Sequence, residues 1–114
     1  MTHPALVTAL AKDGQEIKDS LSPLDCDILH MTLLLLTEAG ELGDAIKKAV
    51  IYRKPIDLVN VKEEFGDIEF ALERLRQIFN ITREETIEHN IAKLQKRYGE
   101  RYSDKAAQER KDKV

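Results

Sequence analysis

The stretch LLLLTEAGEL (Leu33–Leu42) decides how this chain is read. Four consecutive leucines suit a buried helix, yet two carboxylates, Glu38 and Glu41, follow one turn apart. A helix at a surface normally turns its acids toward water and its leucines toward a core. With Glu38 set at zero and about 100° per residue, Met31, Leu34, Leu35, Leu42, Ala45, Ile46 and Ala49 fall within roughly −40° to +80°. Glu41 lies near about −60°. The two acids therefore sit in or beside the apolar stripe. Leu36, Gly40, Gly43 and Val50 share another side, where small residues admit a close neighbour. Such a helix is expected to be buried on more than one face, more than four short helices in 114 residues can enclose. Burial against a second subunit is the economical solution, so a homo-dimer or homo-tetramer is expected.

Composition agrees with a single helical domain. Hydrophobic residues make up 42% and charged residues 34%, with only three prolines and five glycines to interrupt long helices. A net charge of −3 gives no reason to expect nucleic acid or an anionic membrane as partner. The longest apolar run, Leu33 to Leu36, is far short of the roughly 20 residues a membrane span needs. The single cysteine, Cys26, cannot form an internal disulfide, and no Cys/His zinc pattern is present. The opening MTHPALVTALAKDGQE carries no basic leader, so a reducing cytoplasm is the expected location.

Four helices are predicted. The first covers about 4–21, interrupted by Gly14. Ser22-Pro23-Leu24-Asp25 reads as an N-cap, a proline at the first helical position and an acid in the first turn, opening a long second helix to about Tyr52. Residues 53–57 form a loop around Pro55. Asn60 and Glu63 suggest the start of a third helix to about Phe79, ended by Asn80 in a left-handed conformation. Thr82 and Glu85 make a T-x-x-E box for the fourth, which stops at Gly99. The all-α protomer is thus expected to resemble a four-helix bundle over 1–103, followed by a charged tail, 104–114, frayed or weakly helical.

The third helix repeats the pattern of the second. Phe65, Ile68, Leu72, Leu75 and Phe79 make its stripe, and Glu64 and Asp67 border it. Glu63, Glu69 and Glu73 point elsewhere and read as a solvated face. Two amphipathic helices joined by a short loop pack antiparallel, which would set Glu38/Glu41 opposite Glu64/Asp67. Four gathered carboxylates must protonate or find cations. Oxygen-only ligands suit magnesium, with manganese as the alternative.

TEAGELGDAIKK, EEFGDIEFALERL and NIAKLQKRYGERYS together resemble the MazG-like branch of the all-α nucleoside triphosphate pyrophosphohydrolases. The likeness spans roughly His30 to Ser103, and its signature is Glu38-x-x-Glu41, a spacer, then Glu64-x-x-Asp67. It implies Mg²⁺-dependent cleavage of a nucleoside triphosphate between the α and β phosphates, with Glu38, Glu41, Glu64 and Asp67 as metal ligands. It also implies phosphate contacts from Asn90, Lys93, Arg97 and Tyr98. Thr37 stands where many relatives have a further glutamate, so activation of a water is assigned to Glu38 or Glu41. His30, two turns before Glu38, is placed to reach a nucleobase or to sit hydrogen-bonded in a core. Asp44 is assigned a supporting or solvated role, and Lys47 and Lys48 a solvating one.

Within the same superfamily, a dUTPase or a phosphoribosyl-ATP pyrophosphohydrolase would share these motifs. From another class, a non-catalytic helical oligomerisation module would use its acids only for solubility.

Overall fold

Helix ends set the frame, and short polar side chains set the ends. The computed structural model describes residues 1–99 and 103–109, and every regular element among them is an α-helix. Ser22 accepts from the Asp25 N–H at 3.1 Å while Asp25 accepts from the Ser22 N–H at 2.9 Å. This reciprocal box, with Pro23 in the first turn, starts α3 (Pro23–Ile51) as the sequence predicts. At 29 residues it is about 43 Å long. It ends on Arg53, whose φ of 53° is left-handed, and the Lys54 N–H closes back on the Ala49 carbonyl at 2.9 Å. A glycine or asparagine is usual there, because a Cβ costs about 1 kcal/mol in that conformation.

The next helix, α4 (Leu58–Phe79), begins before Asn60. Asp57 is the cap, accepting from the Asn60 N–H at 3.1 Å. At its far end Asn80 is left-handed (φ 55°), and the N–H groups of Asn80 and Ile81 return to the carbonyls of Gln77 and Arg76. Thr82 then accepts from the Glu85 N–H at 3.0 Å and opens α5 (Arg83–Tyr98). Gly99, at φ 69°, stops it.

The single first helix is corrected to two, α1 (His3–Leu10) and α2 (Gly14–Ser20). Asp13 takes an extended conformation and Gly14 starts a helix instead of interrupting one. No residue of either helix is buried, so no packing holds a continuous rod together against that local preference. In the expected tail, 104–109 form α6 (Asp104–Glu109), while 110–114 lie outside the described residues, as do 100–102 beside the expected boundary at 103.

Among the described residues, the one extensive packing is between α3 and α4. Arg74 approaches Asp27 at 3.8 Å, and the carboxylates of Glu38 and Glu64 meet further along. Residue numbers fall on one helix as they rise on the other, so the pair is antiparallel. The same register sets Met31 opposite Ala71, and both are buried, Ala71 fully. Alanine at that point lets the two rods approach closely.

The expected four-helix bundle does not close within one chain. Helix α5 packs with α6, not extensively with α3 or α4. The radius of gyration is 19.9 Å, against about 13 Å for a compact domain of this length. Leu29, Leu33 and Leu36 form an exposed row on α3, and Ile87, Ile91 and Leu94 another on α5. No described helix is long and apolar enough to cross a membrane.

Two substitutions test this frame by urea denaturation at fixed protein concentration. Ser22→Ala removes half of the box and is expected to cost about 1 kcal/mol. Ala71→Leu forces the rods apart and is expected to cost about 1–3 kcal/mol; a neutral result would mean that α3 and α4 are not closely apposed there.

Candidate metal centre

Antiparallel packing carries out what the helical period implies. Glu38 projects from the middle of α3 toward α4, and Glu64 projects back from α4, only 8% exposed. Glu41, one turn beyond Glu38, remains exposed. One carboxylate oxygen from each of the three lies within 4.8 Å of the others. Asp67 is outside this triple and exposed, yet its charge acts on both Glu38 and Glu41.

The cluster has acids without matching cations. The Glu64 carboxyl against Glu38 is the main cause holding Glu38 above the usual carboxylate range, with burial and the charges of Asp67 and Glu64 adding to it. Glu41 is also raised, chiefly by the charge of Glu38, then by burial. Two oxygens, Glu38 Oε2 and Glu64 Oε2, are buried with no hydrogen-bond partner among the described residues. Two ionised carboxylates cannot donate to each other, so their contact is tolerable only with a retained proton or a cation between them.

A hard divalent ion fits this set. All the donors are carboxylate oxygens, and Glu38 and Glu64 each have an oxygen that no described protein group engages. Oxygens that share such an ion at about 2.0–2.6 Å are at most about 5 Å apart, and the three here all lie within 4.8 Å of one another.

A hollow of about 480 Å³ opens over the acids, lined by Thr37, Gly40, Glu41, Asp44, Ala45, Lys48, Asn60 and Glu64. Asp44 and Lys48 form an ion pair at 2.8 Å across one helical turn. The Lys48 ammonium hydrogen-bonds Asp44 and holds it below the usual range, while Asp44 raises Lys48. Both acidic motifs therefore meet in the structure, with Asp44 a neighbour engaged elsewhere.

The basic helix is a different matter. Asn90, Lys93, Arg97 and Tyr98 all lie on α5, and none lines the hollow over the acids. Arg97 and Tyr98 border another hollow, of about 420 Å³, between α5 and α6, and the Arg97 guanidinium lies 5.7 Å from the Tyr98 ring centroid. His30 is exposed on α3 and does not line the acidic hollow either. Asn60 is a lining residue read from the sequence only as a helix start. Its position one turn before Glu64 was the available signal.

Residues 27–102 match the sequence profile of the MazG nucleotide pyrophosphohydrolase domain, about two-thirds of the chain. The matched span contains all four acids and the basic part of α5. No curated protein and no solved structure matches the chain.

Raised carboxyl pKa values have a definite sign in stability. A glutamate in the unfolded chain titrates near 4.5, and Glu38 and Glu41 hold their protons to higher pH when folded. Below that value both states are protonated. As pH rises past it the unfolded chain releases protons first, so stability falls until the folded groups ionise too. Without divalent ions, the melting temperature of the wild type relative to Glu38→Gln is expected to fall as pH rises above 4.5, and saturating Mg²⁺ is expected to reduce that fall. A difference that stays flat or rises would contradict the crowding of these groups.

Proposed function

We propose, on the premise that the chain belongs to the MazG nucleotide pyrophosphohydrolase family, that it hydrolyses nucleoside or deoxynucleoside triphosphates to a monophosphate and pyrophosphate. The observation that carries this reading is the trio Glu38, Glu41 and Glu64 with two buried oxygens lacking partners. Glu38, Glu41, Glu64 and Asp67 would hold Mg²⁺, or Mn²⁺ in its place. Bound there, the ion offsets the charge of the polyphosphate and polarises the phosphorus that is attacked.

The chain's own groups supply position and proton transfer. Glu41 is exposed and lines the hollow beside the more enclosed Glu38 and Glu64, where a water entering the hollow can reach its carboxylate, so it is assigned as the base. Water adds to a phosphorus of the α–β anhydride, the bridging bond to pyrophosphate breaks, and the water's proton passes to Glu41. Glu38, more enclosed, fixes the orientation of its partner acids.

Assembly belongs to the same reading. The chain exposes 9,507 Å², whereas a compact 13.0 kDa monomer exposes about 6,300 Å². That surplus, about 3,200 Å² per chain, exceeds the roughly 1,000–2,500 Å² per partner that an obligate dimer interface buries. A second copy covers Leu29, Leu33 and Leu36 on the outer face of α3, giving a dimer or tetramer. In that assembly the basic side of α5, with Asn90, Lys93, Arg97 and Tyr98, is brought to the phosphates.

Incubation with a panel of NTPs and dNTPs plus Mg²⁺ is expected to yield monophosphate and pyrophosphate in equal amounts. Glu41→Gln and Asp67→Asn are each expected to lower kcat/KM by about 10²-fold or more. No turnover of any nucleotide would favour a non-catalytic helical module, and release of orthophosphate would place the cut at the wrong bond. Light scattering is expected to give a dimer or tetramer that Leu33→Glu with Leu36→Glu drives toward monomer; a wild-type monomer would contradict the assembly.

A further inference from the structure

Beside the acidic hollow lies a second, smaller one of about 180 Å³, tucked under the turn between α3 and α4. The two share Ala45, Lys48 and Asn60, so they are continuous along one ridge. Their chemistry differs. The larger is lined by carboxylates and a hydroxyl, whereas the smaller is walled mainly by Ala49, Pro55, Ile56 and Val61, with Lys54 and Asp57 of the turn completing its lining. Lys48 adds to that apolar wall, because its ammonium is held over Asp44 and its methylene stem remains to face the ridge.

Asn60 is the polar group placed at the junction. Its backbone N–H is committed to Asp57 Oδ1, but its half-buried carboxamide makes no hydrogen bond among the described residues. A carboxamide presents one acceptor and one donor side by side. The amide and amidine edges of nucleobases present the complementary pair, and such two-point contacts discriminate between bases.

A nucleoside triphosphate is divided in the same way, with a highly charged chain at one end and a flat, weakly polar ring with a hydrogen-bonding edge at the other. Small-molecule sites combine apolar walls with a few placed polar groups in this manner. We propose that the smaller hollow receives the nucleobase and that the Asn60 carboxamide reads its edge, making Asn60 a specificity-determining residue. This assignment rests on the pyrophosphohydrolase reading. It gives each end of the substrate a location: polyphosphate over Glu41 and Glu64, base against Ala49, Ile56 and Val61.

The test compares kcat/KM for dATP, dGTP, dCTP and dTTP in the wild type, Asn60→Ala and Asn60→Asp. Circular dichroism checks each fold, and electron paramagnetic resonance follows Mn²⁺ binding. Both variants are expected to bind Mn²⁺ as the wild type does and to change the ratio between the best and worst base by about tenfold. The change should appear mainly in KM, with Asn60→Asp reordering the bases because a carboxylate only accepts. Turnover with base ratios unchanged within twofold in both variants would overturn the assignment while leaving the hydrolase reading in place. A wild type that hydrolyses no nucleotide would overturn the hydrolase reading and this one with it.

Discussion

The repulsion between carboxylates on facing helices is the constraint to which the rest of the molecule answers. Glu38 and Glu64 are brought together by packing of α3 on α4, and each leaves a buried oxygen without a partner. In a fold selected for stability alone, apolar residues at these two positions would pack at lower cost. Retaining acids there makes sense if their charge is needed for something that binds. A divalent cation converts the same arrangement from a liability into a ligand set, and links folding of the helix pair to occupancy of the site.

The helix pair is suited to carry such strain. Its antiparallel register is set by the turn at 52–57, by capping at Ser22 and Asp57, and by the buried contact region of Met31 and Ala71. None of these features depends on the acids. They hold the carboxylates in place from both sides while the hollow stays open beside them. The outer face of α3 performs a separate task. Its leucine row is useless to an isolated chain, and it gives the assembly proposed here an apolar surface to cover.

Much of this was legible from residues. Ser22-Pro23, Asn80 and Thr82 act through bonds to backbone groups within four residues, so their spacing alone identifies them. The meeting of Glu38 and Glu41 with Glu64 follows from the helical period plus a loop too short for any but an antiparallel return. Asp67 stands at the edge of the cluster because it lies about 60° around α4 from Glu64. Other features left no local trace. Arginine is no customary residue for the left-handed position at 53, so the close of α3 there could not be read. Asp57 outcompeted Asn60 as the cap of α4 because it is the residue that reaches the free N–H at Asn60. The position of α5 relative to the acids depends on surfaces that one chain leaves uncovered, and no period within α5 encodes it.

The most direct test is calorimetric titration of the apo protein with Mn²⁺ at mildly acidic pH, repeated in buffers of differing ionisation enthalpy. If Glu38 retains its proton because Glu64 crowds it, and Glu41 because Glu38 does, the ion must displace those protons as it binds. The apparent heat should then vary with the buffer, and the variation should shrink as pH rises. Binding with a heat independent of buffer across that range, or no binding at all, would contradict the account.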